Sequence, residues 1–285
     1  MMRLLMLVTG STAAFGVVYA AGKLLVPLTT PADRAILAAV NPSAYLPGFD
    51  ELFRAINDYT DPFILLPLLC WMIAFGVYRR LPGRKQAIAV VFSIVAFVLI
   101  GITFAISRNK TYVGVNVLLV IMGLAAFGTV IWMFIRMDDD MMRRFARVFW
   151  LVALAGLLTD AGITQPIKHM IKRPRPLSAE NKPWNEHLRP VPDELLRGNN
   201  SYPSGHASGA FALLTPLFWF ARDRRVRAGL MGWAVLQGIG RVYTVAHFPF
   251  CVLMGGLLGF WMGTLVFFVL DGPSLRRDRV TDGPA

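Results

Sequence analysis

The sequence predicts an all-α protein, a polytopic transmembrane helix bundle, and three observations carry that expectation. Of its 285 residues, 55% are hydrophobic and 16% charged, with a mean hydropathy of +0.54; soluble domains carry about a quarter charged residues. Apolar runs long enough to cross a hydrocarbon core of about 30 Å, roughly 20 helical residues, recur along the chain. Finally, arginine and lysine crowd alternate connections between those runs.

Taken in order, the predicted spans are 4–22, 62–78, 86–106, 114–135, 148–167, 206–221, 229–246 and 250–270. The runs 86–106, 114–135 and 250–270 contain no Asp, Glu, Lys or Arg, whereas 148–167 holds Asp160 and Pro166, and 229–246 holds Arg241. The first run follows Met1-Met2-Arg3 and ends near Val18-Tyr19-Ala20, a pattern open to two readings: an uncleaved first helix or a signal peptide. The triplet Asp138-Asp139-Asp140, beside Arg143 and Arg144, reads as a solvated turn.

Arg79, Arg80, Arg84 and Lys85, then Arg136, Arg143, Arg144 and Arg147, then Arg222, Arg224, Arg225 and Arg227, and lastly Arg276, Arg277 and Arg279 all fall on one side if the spans alternate. The positive-inside rule makes that side cytoplasmic. The opposite connections, 23–61, 107–113, 168–205 and 247–249, then face outward. The net charge of +12 therefore reports orientation, and it does not call for a nucleic-acid partner. Two cysteines, Cys70 and Cys251, offer neither a disulfide framework nor a thiolate metal cluster.

All four histidines, His169, His187, His206 and His247, lie in the C-terminal half, toward one predicted membrane face. His169 and His187 read as interfacial or loop residues. In Lys168-His169-Met170-Ile171-Lys172-Arg173-Pro174-Arg175-Pro176, alternate prolines force an extended exit from a helix. Arg173 and Arg175 then project as a fork suited either to a phosphate or to anchoring among lipid headgroups. Tyr202-Pro203-Ser204-Gly205-His206 leads into an apolar helix, with Pro203 expected at the first helical position. The Ser204, Gly205 and His206 N–H groups would make an anion site, and a plain helix cap is the bland alternative. In the third segment, Arg241 ends one span and His247 opens the next after a short turn, bringing a cation and an imidazole together.

Three phosphate-handling segments on one face, in this order and at these spacings, resemble the type 2 phosphatidic acid phosphatase superfamily. Its signature is Lys, six residues, Arg-Pro; then Pro-Ser-Gly-His; then Ser-Arg, five residues, His, three residues, Asp. Lys168 and Arg175-Pro176 match the first part, Pro203-Ser204-Gly205-His206 the second, and Arg241 with His247 the third. The resemblance implies a six-helix phosphatase core over 86–270, preceded by an N-terminal membrane segment over 1–85 with about two extra helices, and followed by a cytoplasmic tail over 271–285. It implies that His247 is the nucleophile forming a phosphohistidine and that His206 is the general acid. Lys168, Arg175, Ser204, Gly205 and Arg241 would bind the phosphate oxygens. No cofactor and no metal is implied.

Two positions depart from the signature: Gly240 stands at the family's Ser, and Cys251 at its Asp. That Asp orients the nucleophilic imidazole, a task for which a thiol is a poor acceptor. Three resolutions are open. A backbone carbonyl takes over; Asp160, about 12 Å before Lys168 along the helix, pairs with His247 or a site cation; or the protein binds or transports lipid phosphates without hydrolysing them.

Gly255, Gly259 and Gly263, four apart in the last span, predict close helix packing that holds His247 against the Ser204–His206 helix end, with dimerisation as the alternative use. Residues 177–200, with Trp184, read either as a headgroup-selecting lid or as a connector. The expected activity is hydrolysis of a lipid phosphate or pyrophosphate at the outer face of the plasma (inner) membrane.

Overall fold

The computed structural model describes residues 1–41, 46–59, 139–189 and 200–271. The predicted spans 62–78, 86–106 and 114–135 lie outside the described residues, which are helical with no strand among them. The chain divides into two compact units, residues 1–46 with 151–285, and residues 47–150.

In the second unit, α2 (Phe49–Tyr59) carries Asp50 and Glu51 in its first turn, where carboxylates suit the helix dipole. Glu51 also accepts the Gly48 N–H at 2.7 Å.

The first unit begins with α1 (Met2–Val40), a single helix of 39 residues. This corrects the expectation that residues 23–61 form an outward connection. Pro27 and Pro31 lie inside α1 without ending it. The Thr30 hydroxyl donates to the Val26 carbonyl at 2.7 Å, and the helix continues because its far half packs on the rest of the unit. Ala14, Val18 and Leu37 join Ile163, Ile167, Tyr202, Phe248, Cys251 and Leu258 in one buried cluster. Gly22 permits the approach of Tyr202, whose hydroxyl donates to the Val18 carbonyl at 2.7 Å.

Next comes α3 (Asp139–Thr159); Asp139 and Asp140 begin this helix and do not form a turn. A π-helical turn over Asp160–Thr164 leads into α4 (Gln165–Ile171). Helix α4 stops where Lys172 takes a left-handed conformation, φ 48°, directly before the extended Arg173-Pro174-Arg175 segment. Helices α5 (Gly205–Phe220), α6 (Arg224–Tyr243) and α7 (Pro249–Val266) complete the unit.

The glycine stripe of α7 packs on α5. A Cβ at Gly259 would overlap the Ser208 carbonyl oxygen, and one at Gly255 would lie 2.5 Å from the Ser204 carbonyl oxygen. These contacts are with backbone, so only glycine fits without displacing a helix.

Three described helices are long and apolar enough to cross a membrane: Met2–Val40, Trp150–Ile171 and Pro249–Leu270. Helix α5, at 16 residues, is shorter, and it lies within the bundle with Ala207, Ser208, Ala210, Ala212 and Leu213 buried. Exposed apolar side chains such as Leu24 and Leu28 on α1 and Leu253, Leu257 and Trp261 on α7 suit a lipid environment.

Candidate active site

Helix α4 brings Lys168 to the start of α5. Lys168 is 9% exposed, and its Nζ would lie 3.1 Å from a Cβ placed on Gly205. The absence of a side chain at Gly205 therefore makes room for the ammonium beside the positive end of a helix, an arrangement that attracts negative charge.

The helix start differs from the expected one. Ser204, in extended conformation, is the N-cap, with its hydroxyl oxygen accepting the Ala207 N–H, and Pro203 stands outside the helix. Serine is among the best N-cap residues, and that preference decides the boundary here. The Ser204 N–H is also not available to an anion, because it donates to the Cys251 carbonyl at 2.9 Å. The positive end of α5 accordingly rests on Gly205 and His206.

Arg241 and His247 are joined by a tight reversal at the end of α6. The Ala246 N–H donates to the Arg241 carbonyl and the Val245 N–H to the Val242 carbonyl, both at 3.0 Å, the pattern of a Schellman cap. Its left-handed residue is Val245, φ 60°, where glycine is usual. That conformation costs about 1–2 kcal/mol for an L-residue, and complete burial of the valine side chain contributes about as much in return. The turn leaves Arg241 and His247 only 5% and 1% exposed.

His247 Nδ1 lies 2.7 Å from the Ser201 carbonyl oxygen. A carbonyl only accepts, so Nδ1 carries the hydrogen and Nε2 keeps its lone pair. The Ser201 hydroxyl lies 3.4 Å from both His247 Nδ1 and Cys251 Sγ. Burial first, then the charges of Arg241, Arg175 and Lys168, hold the imidazole well below its usual value near 6.5, against the opposing effect of the Ser201 bond. The same three cations act on His206. The structure thus brings together His206, His247, Lys168, Arg175, Ser204, Gly205 and Arg241 from all three sequence segments.

Arg175 Nε donates to Asn200 Oδ1 at 2.7 Å, and its carbonyl accepts from Asn181 Nδ2 at 2.7 Å. Arg173 does not form a fork with it. Arg173 turns inward, 5% exposed, and pairs with Asp33 of α1 at 2.7 Å. Alternation along an extended segment sends neighbours two apart to one face only while the backbone stays regular; here the buried carboxylate of Asp33 captures one of the pair. Asp160 is also not in the site, because it is exposed and accepts from Gln165 Nε2 at 2.9 Å.

His169 and His187 are exposed, the latter edge-on to Trp184. Trp184 stacks against Phe248, next to His247, with ring centroids 6.2 Å apart, and Arg34 lies over its ring at 5.1 Å. Asn41 exchanges two hydrogen bonds with the Arg189 backbone. The described part of the 177–200 segment is therefore fastened to α1. Among the described residues no group of three or more His, Cys, Asp or Glu side chains could hold a metal ion.

Sequence reasoning missed Asp33 and Ser201. A lone aspartate inside an apolar stretch was the available signal for Asp33; for Ser201 there was none, since its carbonyl does the work.

Residues 147–272 match the family model of the PAP2 superfamily. A lipid A 4'-phosphatase of Bacteroides thetaiotaomicron is 26% identical over 139 residues, which are 47% of this chain. The chain thus spans 58% of the length of that relative. No solved structure matches.

Proposed function

Because residues 147–272 match the family model of the PAP2 superfamily, we propose that the protein is an integral membrane phosphatase that hydrolyses a lipid phosphate or pyrophosphate monoester through a phosphohistidine intermediate. The observation that carries this reading is the His247–Ser201 bond, which leaves Nε2 as a nucleophile in a site surrounded by Lys168, Arg175 and Arg241.

Nε2 of His247 attacks phosphorus as the bond to the leaving alkoxide breaks, and His206, protonated once the bound phosphate offsets the three cations, gives that alkoxide its proton. His206 then takes a proton from water, whose oxygen displaces the imidazole and releases inorganic phosphate. Three cations and the start of α5 neutralise the equatorial oxygens, which is most of what phosphoryl transfer requires. The positive-inside pattern supports a site on the outer face, and a bundle-end site suits a substrate whose tail stays in the bilayer. The similarity to a lipid A 4'-phosphatase favours a phosphorylated lipid headgroup as substrate class.

The test is release of inorganic phosphate from lipid phosphates in mixed micelles by purified protein and by His247→Ala. Release by the native chain, lost in the variant, is expected; equal rates overturn the reading.

A further inference from the structure

Asp33 is an almost fully buried carboxylate on a helix outside all three phosphate-handling segments, and both of its oxygens are engaged. Oδ2 accepts from Arg173 Nη2 at 2.7 Å, and Oδ1 accepts the Phe250 N–H at 2.8 Å. A buried charge of this kind is costly unless paired and hydrogen-bonded. Helix α1 is also held on this unit by the buried apolar contacts of Ala14, Val18 and Leu37.

Both oxygens lead to His247. From Oδ1, the Phe250 N–H lies in the first turn of α7, three residues after His247, and its capture fixes the 247–249 turn. From Oδ2, the path runs through Arg173, whose guanidinium also donates to Thr30 Oγ1 and to Cys251 Sγ, each at 3.2 Å, and lies over the Phe248 ring at 4.2 Å. The carbonyl of Arg173 accepts the Ser201 N–H at 3.0 Å, and the carbonyl of Ser201 accepts from His247 Nδ1. Ser201, held by its N–H on Arg173, thereby aligns the carbonyl acceptor that selects the tautomer.

We infer that Asp33 is a positioning residue for the reaction: acting through Arg173 and Ser201 on one side and Phe250 on the other, it holds His247 in its nucleophilic orientation, so that the N-terminal helix supplies the carboxylate absent at position 251. This rests on the phosphatase reading. The carboxylate acts at one remove because Arg173 stands between it and the imidazole, and a neutral thiol at 251 is what lets that guanidinium occupy the space.

The experiment uses the full-length protein in detergent with phosphatidate and lipid A phosphate as probes, and follows 15N-labelled histidine by NMR, with His247 assigned from His247→Ala. Asp33→Asn is expected to lower kcat about ten- to a hundredfold, the scale of a small misplacement of a reacting group, with KM within about twofold. Its His247 signal should move from the Nδ1–H form toward a mixture of tautomers. Should Asp33→Asn not fold, Asp33→Glu and Arg173→Lys are read in the same way, Glu recovering more of kcat than Lys. A folded variant with kcat within twofold of the native chain and an unchanged His247 signal overturns the inference. If the native chain releases no phosphate, the phosphatase reading fails, and the tautomer shift alone still decides whether Asp33 positions His247.

Discussion

The Nδ1 of His247 and the carbonyl oxygen of Ser201 are 2.7 Å apart, and that contact replaces a carboxylate at the position where the chain has Cys251. A carbonyl selects the same tautomer as a carboxylate but stabilises a positive imidazole less, having only a partial charge. The orientation of His247 is thus kept, while the carboxylate of Asp33 is bound to Arg173.

Cys251 itself touches Arg173 and the Ser201 hydroxyl, while the Ser201 carbonyl takes the Nδ1 hydrogen. Cys251→Ala is therefore expected to keep kcat within about threefold, since a weak sulfur acceptor is all that is lost. Cys251→Asp in the native background puts a second buried carboxylate on a guanidinium already paired with Asp33 and should lower the melting temperature. In an Asp33→Asn background the same change should raise both melting temperature and kcat, because the number of carboxylates on Arg173 returns to one. Thermal melting and phosphate release of the four proteins check this cycle.

Burial and three neighbouring cations hold His247 neutral well below pH 6.5. The sign follows from its depressed value: the folded form resists protonation, so the contribution of this group to stability is complete above about 6.5 and falls as pH drops below it. The acid limb of kcat/KM due to this residue is expected below pH 6.5. Arg241→Met should move the imidazole titration upward, toward its usual value. NMR titration of 15N-labelled histidine reads both.

At Gly259 an added side chain meets the backbone of α5. Gly259→Val is expected to destabilise the fold by about 3 kcal/mol or more, the upper range for overpacking against atoms that cannot turn aside. Gly229→Ala, with nothing within 4 Å of its added Cβ, should melt with the native protein or slightly above it.

Asp160 is exposed and bonded to Gln165. Asp160→Asn retains an acceptor for that amide and is expected to leave kcat and KM within about twofold, with stability changed by less than about 0.5 kcal/mol. Kinetics with either lipid phosphate check it.

In the proposed mechanism the charge neutralisation comes from arginine and lysine. Phosphate release is expected to continue in EDTA and to be inhibited by orthovanadate, which mimics the five-coordinate phosphorus that the proposed attack by His247 would form. Loss of activity in EDTA, restored by a divalent metal, is the contrary result.

Much of this protein can be read from the order of its residues. Apolar runs set the helical class, because a backbone in lipid must satisfy its own hydrogen bonds. Spacing brought Lys168, Arg175, Ser204, Gly205, His206, Arg241 and His247 to attention, because each segment ends a helix and helix ends are where ions are held. The glycine period of α7 foretold its packing on α5, since a four-residue repeat stays on one face.

Tertiary structure alone decided the rest. Residues 23–40 look like a proline-interrupted connection, yet they are helix, because the buried contact of Leu37 and the pairing of Asp33 outweigh two missing N–H groups. Arg173 and Arg175 look equivalent by sequence, but one is drawn to a carboxylate 140 positions away. The orienting group for His247 is a main-chain oxygen, which every residue possesses, so no side-chain pattern could disclose it. Local sequence singled out the groups proposed to handle phosphate; contacts between distant segments determined which nitrogen of His247 keeps its lone pair.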